Sequence, residues 1–524
     1  MKIITKEEAA LLIKDNDAIA ISGFELACAN EEVALALEER FIKTGSPQAL
    51  TVIHSSCWGD RKEKGMSHLS HKGLLKRWIG GIVKASSPKL SEMIQANDCE
   101  AYNFPQGVLA QLYREIAAKR PGLITKIGLE TYIDPRQEGG KMNEATTEDL
   151  VEIIQLLGEE WMFYPAFPLQ VGLIRGTFAD ENGNVTLEKE GLHMEVLPIA
   201  QAVHNSGGKV IVQVERVVKN GTLHPKDVKV PGILVDYVVV SEPENHFQTG
   251  TTAYNPAFSG EVKIPLGSVP KLPLDNRKVI ARRAAMELQK GTVLNLGVGI
   301  PVNVSIVAAE EAIDDQIILT TEAGTIGGIP AGLEDFGHAY NSEMIIDHHE
   351  QFDFYDGGGL DLSVLGLAEV DQMGNVNVSK LGSQVIGCGG FINISQTAKK
   401  LVFAGTFTAG GLKTVVENGR LTILQEGKHK KFVKAVNQIT FNGHYATKTK
   451  QEVLFVTERA VFVLQDGQLI LSEIAPGVDL KKDVLDQMDF EVQISGALKE
   501  MPAELFMENW GQLAKLMEED HGTN

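Results

Sequence analysis

The segment TTEAGTIGGIP, Thr320 to Pro330, sets one carboxylate, Glu322, between the apolar run IILTT and a turn holding three glycines and a proline. A carboxylate in that setting could be solvated, cap a helix, ligate a metal, act as a general base or act as a nucleophile. Three other stretches could take part in chemistry. GVGIP, Gly297 to Pro301, sends a strand into a glycine turn that opens a helix, as a dinucleotide fingerprint does, but the third glycine of G-x-G-x-x-G is missing. A tight turn and a cradle for phosphate or pantetheine both fit it. GCGGFINIS, Gly387 to Ser395, groups three glycines before an apolar strand or helix start. Glycines let a backbone approach a ligand closely, which suits an oxyanion site and equally suits a turn. IIDHHEQFDFYDGGGLD carries His348, His349, Glu350, Asp353, Asp356 and Asp361. Adjacent histidines diverge on a helix or a strand and no H-x-x-x-H spacing occurs, so solvated or structural roles are expected and no metal site is assigned.

The elements that must position these residues repeat along the chain. Thr5 and Glu8 read as a capping box for a helix over about 5–14, followed by the strand AIAIS, Gly23 and a helix in NEEVALALEERFIKTG. Asn30 should cap that helix and Gly45 end it, before the strand LTVIH at 50–54. The same order returns as a helix in DNRKVIARRAAMELQKG closed by Gly291, the strand TVLNL, the GVGIP turn, a helix with Pro301 in its first turn, and the strand IILTT, which Glu322 ends. DENGNV at 180–185 and DQMGNV at 371–376 share D-x-x-G-N-V, a hairpin-type turn with Gly and Asn supplying positive φ. A β-rich run follows each by 30 residues, at Val210 and Leu401. Gly23 to Asp180 spans 157 residues and Gly297 to Asp371 only 74, so the first half carries an insertion.

This pattern predicts an α/β protein of two homologous open α/β domains with largely parallel sheets, duplicated, whose ligands sit at strand carboxyl ends. The expected domains are 1–240 and 276–524, joined by a Pro-, Gly- and Ser-rich linker, 241–275. A net charge of −20 argues against nucleic-acid binding, no stretch is apolar enough for a membrane helix, and the N-terminus lacks the order of a signal peptide. Four scattered cysteines form no disulfide framework, and a cytoplasmic location is expected. The run KHKK, Lys428 to Lys431, reads as a solvated strand or hairpin edge. No G-x-S-x-G elbow and no P-loop occurs, which removes the usual support for a serine hydrolase or a nucleoside triphosphatase.

Taken together, TTEAGTIGGIP, NLGVGIP, GCGGFINISQTAKKLVFAGTFTAGG, FPQGVLAQLYRE, DPRQEGGKMN and FDFYDGGGLDL resemble the family I coenzyme A transferases, most closely the single-chain enzymes of the propionate or acetate type. The matches run from about residue 20 to about residue 510. The resemblance implies that Glu322, the glutamate of E-x-G-x-x-G-x-P, is a nucleophile that carries CoA as a thioester during ping-pong transfer between an acyl-CoA and a short-chain carboxylate. It implies oxyanion or substrate-carboxylate contacts from Gln106 and Gly389, and a CoA side at Gly297, Gly299, Gly387 and Gly390. Gln106 lies in the first half, so a site between the halves is implied. It also implies no cofactor beyond CoA as substrate, and a homodimer or homotetramer. After WIGG, the sequence IVKASSPKL lacks the His-Trp pair of propionate-type members, which leaves the acyl group open. An acyl-CoA hydrolase on the same scaffold and a non-catalytic CoA or sugar-phosphate sensor are the alternatives.

Overall fold

The computed structural model of the chain describes residues 1–265, 271–332 and 335–519, so the expected linker at 241–275 falls partly outside the described residues. Two compact units emerge: Met1–Ile264 with Thr321–Asp353 and Ser379–Asn393, and Pro265–Thr320 with Phe354–Val378 and Ile394–Asn524. The second half of the chain thus lends two segments to the first unit.

In the first unit, strands β1 (Lys2–Ile3), β2 (Ala18–Ile21), β3 (Leu50–His54), β4 (Leu75–Gly80), β5 (Glu100–Asn103), β6 (Val171–Arg175), β7 (Lys209–Val214) and β8 (Tyr237–Val240) form one sheet. The order is β1-β8-β7-β6-β2-β3-β4-β5, and every pairing is parallel. Parallel strands are covered on both faces, and Ile19, Ala20, Ile21, Val52, Leu173, Ile174 and Val210 to Val212 are fully buried. Local signals set the covering helices. The Thr5 box opens α1 (Lys6–Leu12) with both of its hydrogen bonds made. Asn30 accepts from the Val33 N–H to cap α2 (Glu31–Thr44), and Gly45 ends that helix at φ 69°. Helices α3 (Gln106–Ala117) and α4 (Val196–Asn205) complete the elements that matter for the site.

The second unit carries α5 (Asn276–Ala285), β9 (Val293–Leu296), α6 (Asn303–Glu310), β10 (Ile318–Thr320), β11 (Leu362–Leu365), β12 (Lys400–Ala404), β13 (Glu452–Val456), β14 (Ala460–Gln465), β15 (Gln468–Ile474) and β16 (Gln493–Glu500). These strands follow the order β10-β9-β11-β12-β13-β14-β15-β16. Pairing is parallel through β13 and antiparallel on both sides of β14. Two boundaries differ from expectation. Helix α5 ends at Ala285 with Met286 as its cap, and Gly291 instead bends the following turn at φ 79°. Pro301 precedes α6, which starts at Asn303.

The duplication is visible in topology. The run β8-β7-β6-β2-β3 of one sheet has the same connectivity as β13-β12-β11-β9-β10 of the other. The D-x-x-G-N-V turns match bond for bond. Asp180 Oδ1 accepts from the Asn182 and Asn184 N–H groups, each at 2.9 Å, and Asp371 Oδ1 accepts from Met373 and Asn375 at 3.0 and 3.1 Å. The Asn184 and Asn375 side-chain amides donate to the second oxygen of the same aspartates, while their own oxygens accept from Gly232 and Gly443. Positive φ falls on Gly183 and Gly374 alone in these turns, so the asparagines serve as hydrogen-bond connectors and not, as expected, as left-handed residues. The insertion in the first repeat supplies β4, β5 and α3.

Candidate active site

Glu322 stands two residues beyond β10, in a turn where Thr321 N–H donates to Thr325 O at 3.0 Å and Gly324 N–H donates to Thr321 O at 3.1 Å. The Thr321 hydroxyl bonds the Thr325 hydroxyl at 2.8 Å and the Gly337 carbonyl at 3.1 Å, which holds the turn from below. Gly324 has φ 110°, and a Cβ there would lie 2.3 Å from the Ile346 carbonyl oxygen. Only glycine lets the Ile346 N–H close onto Gly324 O at 2.9 Å. The turn is therefore rigid, and Glu322 is half-buried between the buried Thr321 and Ala323. Strand register locates its counterpart in the first repeat. Ile19 pairs with Val52 and Val293 with Ile318, so aligning Gly23 with Gly297 sets Glu322 against Ser56.

Gln106 is the first residue of α3, directly after Pro105. Its backbone N–H donates to Gly389 O at 2.9 Å, and the next N–H, from Gly107, reaches Asn393 Oδ1 at 3.1 Å. The orphan amides of a helix N-terminus are thus satisfied by the Gly389–Asn393 segment, which fixes the entry of α3. That segment is itself anchored. Gly387 N–H donates to Ser379 O, Cys388 N–H to Asn103 Oδ1 and Gly389 N–H to Gly81 O, leaving the buried Gly390 amide, at the start of α8 (Phe391–Thr397), without an acceptor among the described residues. Of the glycine loop, the amides of Gly387 and Gly389 are engaged by the protein itself, and only that of Gly390 is not, among the described residues.

The fully buried Gln106 side chain extends its Nε2 to within 2.7 Å of His348 Nε2. His348 begins α7 (His348–Asp356), and its Nδ1 bonds the carboxylate of Glu195, which also accepts from Ser55 Oγ. Glu195 is the residue directly before α4, and its side chain is turned to Ser55 and His348 instead of capping that helix. α3 and α7 are pinned further by Gln111 and Arg114, both bonded to Asp353.

The residues named from sequence are thus distributed unevenly. Gln106, Glu322 and Gly387 to Gly390 all fall in the first compact unit, not in two separate halves, and Gln106 meets Gly389 directly. Gly297 and Gly299 belong to the second unit, after β9; Gly297 N–H is engaged by Val364 O at 2.8 Å, and Gly299 adopts φ 93°. His348 has the structural placement expected of its segment, yet it touches a candidate substrate contact. Sequence reasoning missed Ser55 and Glu195, since neither stands in a motif; Ser55, one residue past a parallel strand's carboxyl end, offered the only signal. KHKK includes the short strand His429–Lys430, paired with Thr408–Ala409, with Lys428 to Lys430 exposed as expected, whereas Lys431 is half-buried and donates from Nζ to Leu367 O at 3.2 Å because it turns inward at the end of the run. All four cysteines are free and buried. Among the described residues no helix is long and apolar enough to cross a membrane.

The glycine-braced carboxylate Glu322, at one parallel strand's end, and the helix-borne carboxamide Gln106 fall in the same compact unit, and a family model for coenzyme A transferase matches residues 3–241. The chain belongs to the coenzyme A transferase family. It is 52% identical to the caffeate CoA-transferase of Acetobacterium woodii over 98% of this chain and 99% of that one. It is 44% identical to the acetate CoA-transferase YdiF of Escherichia coli (strain K12), over 97% and 95%. The crystal structure of the YdiF apoenzyme from Escherichia coli O157:H7 superposes with a TM-score of 0.92 at 44% identity, covering 97% of each chain. A thioester complex of that enzyme with CoA superposes at 0.91, with 43% identity and 97% coverage of each chain.

Proposed function

We propose that this enzyme moves coenzyme A between a short-chain acyl-CoA and a free carboxylate, such as acetate, propionate, butyrate or acetoacetate, with Glu322 as the covalent carrier. The observation that carries the reading is full-length similarity to two CoA-transferases, one of which has been captured as a thioester with CoA. The Glu322 carboxylate attacks the thioester carbonyl, the tetrahedral oxyanion collapses, and CoA thiolate leaves an acyl-glutamyl anhydride. The thiolate then attacks the glutamyl carbonyl and expels the acyl carboxylate, leaving glutamyl-CoA. An incoming carboxylate runs these steps in reverse. One thioester replaces another, so the free-energy change is small and no nucleotide or metal cofactor is required. A serine or cysteine would hold the acyl group; a carboxylate can go on to hold CoA. Gln106 and the Gly390 amide are suited to meet the successive oxyanions, and Gly297 and Gly299 are the proposed CoA side. We place the enzyme in the cytoplasm as a homodimer or homotetramer.

Incubation with acyl-CoA alone, borohydride reduction and peptide mapping should modify Glu322, and Glu322→Gln should abolish exchange while the thermal midpoint stays put. Label on another residue, or exchange by the variant, would defeat the reading. Release of CoA without a carboxylate acceptor would instead identify a hydrolase. A second reading of the substrate has its own support: the caffeate enzyme is 52% identical. A donor and acceptor matrix should therefore include hydroxycinnamates beside the short-chain acids, and preference of at least tenfold in kcat/KM decides between them.

A further inference from the structure

Arg175, the last residue of β6, crosses the carboxyl end of the first sheet. Its Nε donates to Glu190 Oε1 at 3.1 Å, and its Nη1 donates to Leu26 O at 2.9 Å and to Phe247 O at 2.8 Å. This buried ion pair plugs the space between its own strand end and the turn that follows Gly23. The second repeat lacks the plug. The two D-x-x-G-N-V turns, with the strand pairs Val171–Lys209 and Leu362–Lys400, align the repeats and set Gly366 against Arg175 and Leu381 against Glu190. With Gly23 against Gly297, Leu26 falls against Ile300. The space that the guanidinium fills in one repeat therefore corresponds, in the other, to a crevice between Gly366 and the Gly297–Ile300 turn. A Cβ on Gly366 or on Gly299 would meet nothing within 4 Å, and Val298 is 50% exposed. The two sides of the crevice belong to one compact unit and follow the adjacent parallel strands β9 and β11, about 5 Å apart. Such openings at parallel strand ends are where α/β sheets take ligands.

A cation borders this opening. Lys431 Nζ donates to the carbonyl oxygen of Leu367, the residue after Gly366, at 3.2 Å, and lies 3.4 Å from where a Cβ on Gly405, just past β12, would stand. An ammonium has three donors, and among the described residues Lys431 has this one acceptor and no ion pair. Glu458, the carboxylate whose field reaches it, is occupied by the Phe407 N–H at 2.9 Å and by Arg459 Nε at 2.7 Å. Burial holds the Lys431 pKa below the ordinary lysine value, as expected of a charge short of partners. A bound anion supplies what is missing, and a lysine suits a phosphate as a point charge.

We propose that Lys431 binds a phosphate group of coenzyme A, drawn into the crevice between Gly366 and the Gly297–Ile300 turn. This rests on the function proposed above and adds a charged side chain to its CoA side.

Acyl-pantetheine has the same reacting end as acyl-CoA and no phosphate, so the two substrates isolate the contact. Lys431→Met, which keeps the length of the side chain and removes the charge, should lower the ratio of kcat/KM for acyl-CoA to that for acyl-pantetheine by about 10-fold, the scale of one charge-assisted hydrogen bond. Lys431→Arg should keep most of the ratio. With thioesters of 3′-dephospho-CoA, a deficit that vanishes assigns the 3′-phosphate and one that persists assigns the pyrophosphate; both uphold the proposal. An unchanged ratio in Lys431→Met, whether both rates hold or both fall, would overturn it. Should that variant fail to fold, reductive methylation of the native enzyme decides the point: desulfo-CoA should protect Lys431 and desulfopantetheine should not, and equal labelling with and without desulfo-CoA would overturn the contact. Absence of label on Glu322 after acyl-CoA and borohydride would count against the covalent mechanism alone and leave the ratio test standing.

Discussion

The backbone N–H of Gln106 donates to the carbonyl oxygen of Gly389 at 2.9 Å, so a helix in the first repeat's insertion takes its starting point from a glycine loop in the second repeat. The amide next in line, Gly107, uses the side chain of Asn393. Two distant segments of sequence therefore fix one carboxamide.

Asn393→Ala should leave the buried Gly107 N–H unsatisfied, at a cost of about 1 to 3 kcal/mol. Because α3 would fray at the residue that carries the carboxamide, kcat should fall further than the lost stability explains. Thermal melts together with steady-state exchange assays measure both effects.

Two glycine substitutions should separate turn geometry from ligand contact. Gly324→Ala drives a Cβ to 2.3 Å from Ile346 O at φ 110°, so it should cost more than about 2 kcal/mol and remove activity. Gly299→Ala meets nothing within 4 Å and bears only the strain of φ 93°, about 1 kcal/mol. A rise in the CoA KM in the second variant without a large fall in melting temperature would mark that loop as a CoA contact.

The paired turns should fail in the same way. Asp180→Ala frees the Asn182 and Asn184 amides, and Asp371→Ala frees those of Met373 and Asn375. Hydrogen exchange at each pair should accelerate in its own variant by about 10-fold or more, the scale of a net hydrogen bond of about 1.5 kcal/mol.

His68 should make stability depend on alkaline pH. Burial lowers its pKa, but bonds to Glu31 and Glu38 outweigh burial and raise it to about 9 from the ordinary 6.5. The raised folded-state value means that this contribution, up to about 3 kcal/mol, is complete below pH 6.5 and disappears as pH rises through about 9. Urea midpoints should fall between those pH values for the native enzyme and change less for His68→Gln.

Local signals were the legible part of this chain. The Thr5 box, the Asn30 cap, the Gly45 stop and the strand Leu50–His54 lie where the sequence indicates, because each depends on residues within one helical turn or one strand. The repeat was legible too, since a glycine turn with a required φ tolerates little drift. Pro301 misled by two residues, because a proline suits the residues just before a helix as well as its first turn. Of the candidate site, Glu322 and Gln106 were accessible through motifs. Ser55 and Glu195 were not: they lie 140 residues apart, and nothing local records that one donates to the other. The glycine loop carried half its message, since the sequence marks a backbone brought close to something without saying whether that is a ligand or, as for Gly387 and Gly389, more backbone.

Strand register pairs Glu322 with Ser56, so of two equivalent strand ends one bears a carboxylate and the other a hydroxyl. The two repeats share a strand order and differ in the residue at that strand end. On the mechanism proposed above, saturation with acyl-CoA should load a single equivalent of coenzyme per polypeptide, and the bound thioester, counted against protein mass, should titrate the competent chains.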